Sequence, residues 1–227
     1  MSNYMVLLIV VISIPLLFSF EKRLSWYKMW GALIRAIMYT ATPFIIWDIL
    51  FTKYEVWHFN DQFTGSLYLA GLPLEEWLFF FAIPFSCLFI YQWVCWIRRE
   101  SVEKFTEKDS LALLVSGLLF LILALFFNEK SYTLVVFGTL GFTLLILRHL
   151  EPWFLRRFMV AFLITMIPFF IVNGYLTAKP VVLYNDLENL GIRMGSIPVE
   201  DAFYSFLLLL INTTLFEYFR NERTSDG

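Results

Sequence analysis

The residues best suited to chemistry are carboxylates at the heads of apolar runs. They occur twice, as Leu72-Pro73-Leu74-Glu75-Glu76-Trp77-Leu78-Phe79-Phe80 and as Ile197-Pro198-Val199-Glu200-Asp201-Ala202-Phe203-Tyr204. An acid at the edge of hydrocarbon is costly unless it is used. In a dry pocket such a group can give or take a proton from an apolar substrate. An ordinary explanation competes, because Pro at the first helical position and acids in the first turn complement the helix dipole and its free N–H groups. Recurrence of the motif favours chemistry. Neighbouring residues on a helix point about 100° apart, so Glu75 and Glu76 cannot serve one point equally. We expect one acid of each pair to face a cavity and the other to hold the start of the helix. Glu75 and Glu200, identical in both motifs, are the first candidates for catalysis, and Glu76 and Asp201 follow.

Other polar and aromatic residues are placed to support them. Asp48 and Asn173 occupy matching positions near the ends of two apolar runs, suited either to hydrogen bonds with the acids or to contacts between helices. Trp47, Phe79 and Tyr204 are candidates for stabilising a cation through their π-faces. Asn60-Asp61 and Asn185-Asp186 suit turns in the connecting loops. The only histidines are His58 and His149, too few for a histidine-rich metal site, and we expect no metal. Cys87 and Cys95 are eight residues apart, about 12 Å along a helix, and read as packing residues rather than a bridge. No Gly-x-Gly-x-x-Gly fingerprint is present, and no cofactor is expected.

Lipid must act as the solvent for the elements that carry these groups. Of 227 residues, 59% are hydrophobic and 20% aromatic, with a mean hydropathy of +0.70; a soluble domain could not bury so much apolar surface. Crossing the bilayer takes about 20 apolar residues in a helix. Such runs lie at 4–20, 31–51, 74–97, 109–127, 131–147, 157–177 and 199–219. A barrel would show short alternating strands instead. Net charge is −2 and no basic cluster occurs, so no nucleic-acid partner is expected. The first run is followed, not preceded, by basic residues, the wrong polarity for a cleaved signal peptide. Of the 17 Lys and Arg, only Lys53, Lys130, Lys179 and Arg193 fall on one side of the predicted topology. That bias predicts a cell-membrane protein with its N-terminus outside and its C-terminus cytoplasmic.

Sliding the sequence along itself reveals a repeat at an offset of 125. Pro43-Phe44 falls on Pro168-Phe169, Thr52 on Thr177, Asn60-Asp61 on Asn185-Asp186, Pro73 on Pro198 and Glu75 on Glu200. Between 43 and 84, ten of 42 positions are identical, against about three by chance. The unit is three helices, so direct fusion would invert the second copy. The fourth run restores the parity. The expected fold is therefore all-α and membrane-integral, one domain of two parallel three-helix repeats joined by a linker helix. Repeat one covers 1–97, a polar hinge and linker helix 98–130, repeat two 131–219 and a cytoplasmic tail 220–227.

Paired Pro-x-Glu-Glu/Asp motifs, each heading an apolar helix in a three-helix repeat, resemble the heterodimeric-type lycopene cyclases in their fused form. The resemblance is specific in Pro73-Leu74-Glu75-Glu76 and Pro198-Val199-Glu200-Asp201 and covers nearly the whole chain. Asp201, where the first copy has Glu76, departs from the strictest form and suggests inequivalent copies. The resemblance implies an isomerase-type enzyme of carotenoid biosynthesis, which closes the ψ-ends of lycopene to β-rings by acid–base chemistry without net redox change. A 3+1+3 solute transporter is the main alternative, although the spans hold few hydrogen-bonding residues. An intramembrane prenyltransferase is poorly supplied, since Thr64 and Asn189 stand where its second Asp would be. A retinal pigment lacks its Schiff-base Lys in the seventh span.

Overall fold

The apolar runs become helices wherever no Gly or Pro cluster interrupts them. A computed structural model describes residues 2–101 and 103–225, and its helices are α1 (Asn3–Phe18), α2 (Trp30–Lys53), α3 (Leu74–Ile97), α4 (Glu107–Phe126), α5 (Ser131–Leu150), α6 (Leu155–Ala178) and α7 (Val199–Ser225). Six of the seven are long and apolar enough to cross a membrane. The exception is α1, whose 16 residues extend about 24 Å, short of the roughly 30 Å of hydrocarbon. The chain is a multi-pass, all-α membrane protein. A capping box between Thr106 and Asp109 starts α4 at the end of the polar hinge, satisfying amides that would otherwise lack partners. At the other terminus α7 runs on to Ser225, so much of the expected tail is helical; Asp226 and Gly227 lie outside the described residues.

Short strands fill the connections that lead to each acidic motif. They are β1 (Trp57–Phe59), β2 (Tyr68–Leu69) and β3 (Leu72–Pro73), then β4 (Val182–Tyr184), β5 (Arg193–Met194) and β6 (Ile197–Pro198), each of the second set 125 residues after its counterpart. Two or three residues are too few to show a strand's alternation, so the sequence read only as loop. The hairpins β2–β3 and β5–β6 turn on residues with positive φ: Ala70 (+53°) and Gly71 (+86°) in one, Gly195 (+67°) in the other. Such backbone is natural for Gly and costly for Ala.

Strand β1 pairs antiparallel with β4, and His58 faces its own counterpart, Leu183. A ladder centred on equivalent residues requires a local two-fold axis. It also brings the ends of α2 and α6 to one face, so the two repeats run parallel. Packing obeys the same symmetry: α1 lies on α3 and α5 on α7 within the repeats, while α2 meets α7 and α3 meets α6 between them. At the far end of the central helices, the Tyr91 hydroxyl donates to Glu217 (2.7 Å), which also pairs with Arg220.

The linker α4 breaks the symmetry, because it is fastened chiefly to α5. Gly117 and Gly141 meet there so closely that a Cβ on Gly141 would stand 2.8 Å from the Gly117 carbonyl. Small residues permit that approach of two backbones in lipid.

Candidate active site

The connection before each acidic helix is built twice on one plan. Asn60 Oδ1 accepts from the Gln62 N–H (3.0 Å), and Asn185 Oδ1 from the Leu187 N–H (3.1 Å), the Asx turn these side chains favour. Asp61 accepts from the Tyr68 hydroxyl (2.6 Å), while Asp186 accepts from Arg193, the residue at the corresponding position. The loop then folds back over the head of the next helix. There the Gly65 N–H donates to Glu75 Oε1 and the Leu190 N–H to Glu200 Oε1, both at 2.8 Å. A hydroxyl completes each arrangement, Ser2 on Glu75 and Thr133 on Glu200 (2.6 Å).

Glu75 and Glu200 thus clasp the loop to the helix start, which corrects their expected placement as the cavity-facing pair. The reason is geometric. Side chains in a first turn lean back toward the N-terminus, where the loop amides wait. The next residue, about 100° round, turns inward instead. Glu76 and Asp201 line the cavity, each less than a tenth exposed.

Tyrosines address both inward acids. The Tyr4 hydroxyl, from the first turn of α1, donates to Glu76 Oε2 at 2.6 Å. The Tyr132 hydroxyl, from the first turn of α5, donates to Asp201 Oδ1 at 2.7 Å. Asp201 accepts a second phenol, Tyr184 of β4, on Oδ2 at 2.9 Å. Burial, with the Asp201 carboxylate beside it, holds the Tyr184 phenol well above its ordinary range, so it remains a donor. In the first repeat Phe59 stands at the equivalent position, and Glu76 has no such second phenol.

Asp48 also lines the cavity, but its hydrogen bond comes from the Trp57 indole (2.7 Å) and not from the acids; its Oδ2 is buried without a partner. Asn173 lies on the wall as well. Of the three candidate aromatics, Phe79 and Tyr204 line the cavity. Trp47 does not. It packs behind Tyr204 (5.1 Å between centroids) and against Phe51 (5.6 Å), because its position turns toward the tight α2–α7 contact.

The cavity measures about 470 Å³ and its walls come chiefly from α1, α3, α6 and α7, with Asp48 of α2, Tyr132 of α5 and the β1–β4 ribbon at the acidic end. Apart from the acids, the tyrosines, Asn173, Ser86, Thr165 and Ser205, its lining is mostly hydrocarbon. Such a chamber suits an apolar ligand with proton-transfer groups at one end. Among the described residues, no three His, Cys, Asp or Glu side chains are grouped as metal ligands would be.

Sequence reasoning did not single out Tyr4, Tyr132, Tyr184, Trp57, Ser2 or Thr133. The signal for the first two was present but displaced. Tyr4 and Tyr132 are 128 residues apart, so an ungapped comparison at 125 passes over them. At an offset of 125, Tyr184 aligns with Phe59 and Trp57 with Val182, so nothing repeats there.

Comparison with known families finds a match to the family model described as Lycopene cyclase, over residues 2–94 and 129–219. The matched segments omit the hinge and all of α4. No curated protein and no solved structure matches the chain.

Proposed function

Given that the chain belongs to the lycopene cyclase family, we propose that it closes the ψ-ends of lycopene to β-rings inside the bilayer, with Glu76 and Asp201 as the reacting pair. The product has the composition of the substrate, so the enzyme is an isomerase in its net chemistry. A carboxylic acid protonates C2 of the terminal double bond and leaves a tertiary cation at C1. The C5=C6 bond attacks, forming C1–C6 and moving the cation to C5. A base then removes the proton from C6, restoring C5=C6. One proton enters and one leaves.

The hydrogen bonds suggest how the two roles divide. Both oxygens of Asp201 accept phenols, and hydrogen bonds to a carboxylate favour its charged form, which suits the base. Glu76 accepts one phenol on Oε2, and its other oxygen is left for the substrate, which suits the acid. Tyr204 and Phe79 line the chamber where the cation would develop, and aromatic rings there suit it. Glu75 and Glu200 act through the loops they hold, as positioning residues. Apolar walls keep water from the cation. The excess of Lys and Arg on the opposite face supports placing the acids at the outer leaflet of the cell membrane, with the C-terminus in the cytoplasm.

The observation that carries this reading is the convergence of Glu76 and Asp201, one from each repeat, on a single greasy chamber. Pigment analysis of lycopene-producing cells tests it. The intact chain should convert lycopene to cyclic carotenoid, and Glu76→Gln and Asp201→Asn should each abolish conversion. Lycopene left unchanged by the intact chain would overturn the proposal.

A further inference from the structure

Two repeats suggest two sites, one for each end of a symmetrical substrate. The side chains argue otherwise. By the pseudo-two-fold, the counterpart of the chamber would lie among α5, α7, α2 and α3. That space is filled with rings. Trp47, at the position equivalent to the chamber's Val172, packs on Tyr204 and Phe51, and Phe51 packs on Trp57 at 4.9 Å. Trp57, at the position equivalent to Val182, backs this packing and also lines the chamber at its acidic end. Phe120 of α4 then closes the flank against Phe137 and Phe203, at 5.3 and 5.2 Å. Trp47 and Phe51 stand where the chamber has Val172 and Leu176, so the aromatic rings remove volume from this side and the aliphatic side chains leave it open on the other.

Access to the chamber is lateral. At the acidic end α1 and α6 share a buried cluster that includes Tyr4, Leu8, Val172 and Leu176. Farther along, Val10, Ile14 and Ile171 line the chamber while remaining 57%, 60% and 65% exposed. A slot therefore opens between the two helices toward lipid. An extended carotenoid is about as long as the hydrocarbon layer is thick, about 30 Å, and a chamber of about 470 Å³ suits one folded end with the remainder trailing outward.

We propose that the two repeats build one ring-closing site, not two, and that a carotenoid end reaches it from the bilayer through the slot between α1 and α6. The inference rests on the cyclase reading above. Its consequence is that the two ends of a molecule are closed in separate visits, with release of the half-closed product between them.

Label dilution in liposomes holding the intact protein tests this directly. Labelled lycopene is supplied together with a large excess of unlabelled monocyclic carotene. The label should collect in the monocyclic pool, because each released molecule competes with the excess for its second visit. Label passing undiluted into dicyclic product would overturn the single site while leaving the cyclase reading intact. No conversion of lycopene would sink both. On lycopene as substrate, Glu76→Gln and Asp201→Asn should each lower the rate at least about 100-fold; retention of about half the rate by each would reveal independent sites. Val172→Trp, which gives the chamber the plug its counterpart has, should reduce conversion at least about tenfold, the scale expected when a packed wall is overfilled. Unchanged turnover in that variant would place the substrate elsewhere.

Discussion

The two repeats share the hydrogen-bond plan of their loops and differ where they line the chamber. Each folds an Asn-Asp turn back onto the first glutamate of its motif, with amide-to-carboxylate contacts of 2.8 Å in both. Yet Glu76 has one phenol donor and Asp201 has two, and one flank is hollow where the other is packed with rings. What is kept identical is the device that starts the helix. What has diverged is the surroundings of the inward acids, and the proposed split into a proton donor and an acceptor rests on that difference.

Variants that erase the difference, or the likeness, test this contrast. The largest effect should come from the inward acids: Glu76→Gln and Asp201→Asn should lower cyclisation by about 10²–10⁴-fold, measured as cyclic carotenoid formed in membranes. Trp47→Val should hollow the packed flank and cost about 2–4 kcal/mol of stability, the range for emptying a large core site, read by thermal unfolding in detergent. Next come the loop clasps, where Glu75→Ala and Glu200→Ala each leave buried donors unpaired. These should cost about 1–3 kcal/mol, and the two losses should be similar because the clasps are alike. Smallest is Tyr184→Phe, which gives the second repeat the Phe of the first. It should slow turnover about tenfold, the scale of one hydrogen bond to a charged group, with a shift in the pH profile. An equal loss from Tyr184→Phe and from Phe59→Tyr would contradict the assigned asymmetry.

The helices and their parallel repetition were legible in the sequence, because lipid demands long apolar runs and the match at 125 ran through Pro, Asn, Asp and Glu. The four acids were legible for the same reason. Which acid of each pair turns inward was not. Identity across the copies pointed to Glu75 and Glu200, but identity there reflects the shared helix start, and the divergent positions Glu76 and Asp201 face the chamber. Trp47 was misplaced because an aromatic near an acid in sequence says nothing of which side of the helix it occupies. Tyr4 and Tyr132 escaped because α1 and α5 are set three residues out of register with the rest. The short strands left no periodicity to read.

The ladder between β1 and β4 carries one more implication. A strand that pairs with its own counterpart about a two-fold presents a self-complementary seam, equally able to join two identical chains. A polypeptide of one repeat would thus already own the means to dimerise, with a hollow on each flank. In the present chain the hinge and α4 tether the halves and replace an encounter between molecules by one at high effective concentration. Freed from the need to match, each half could then drift, one keeping a hollow flank and the other filling it with rings.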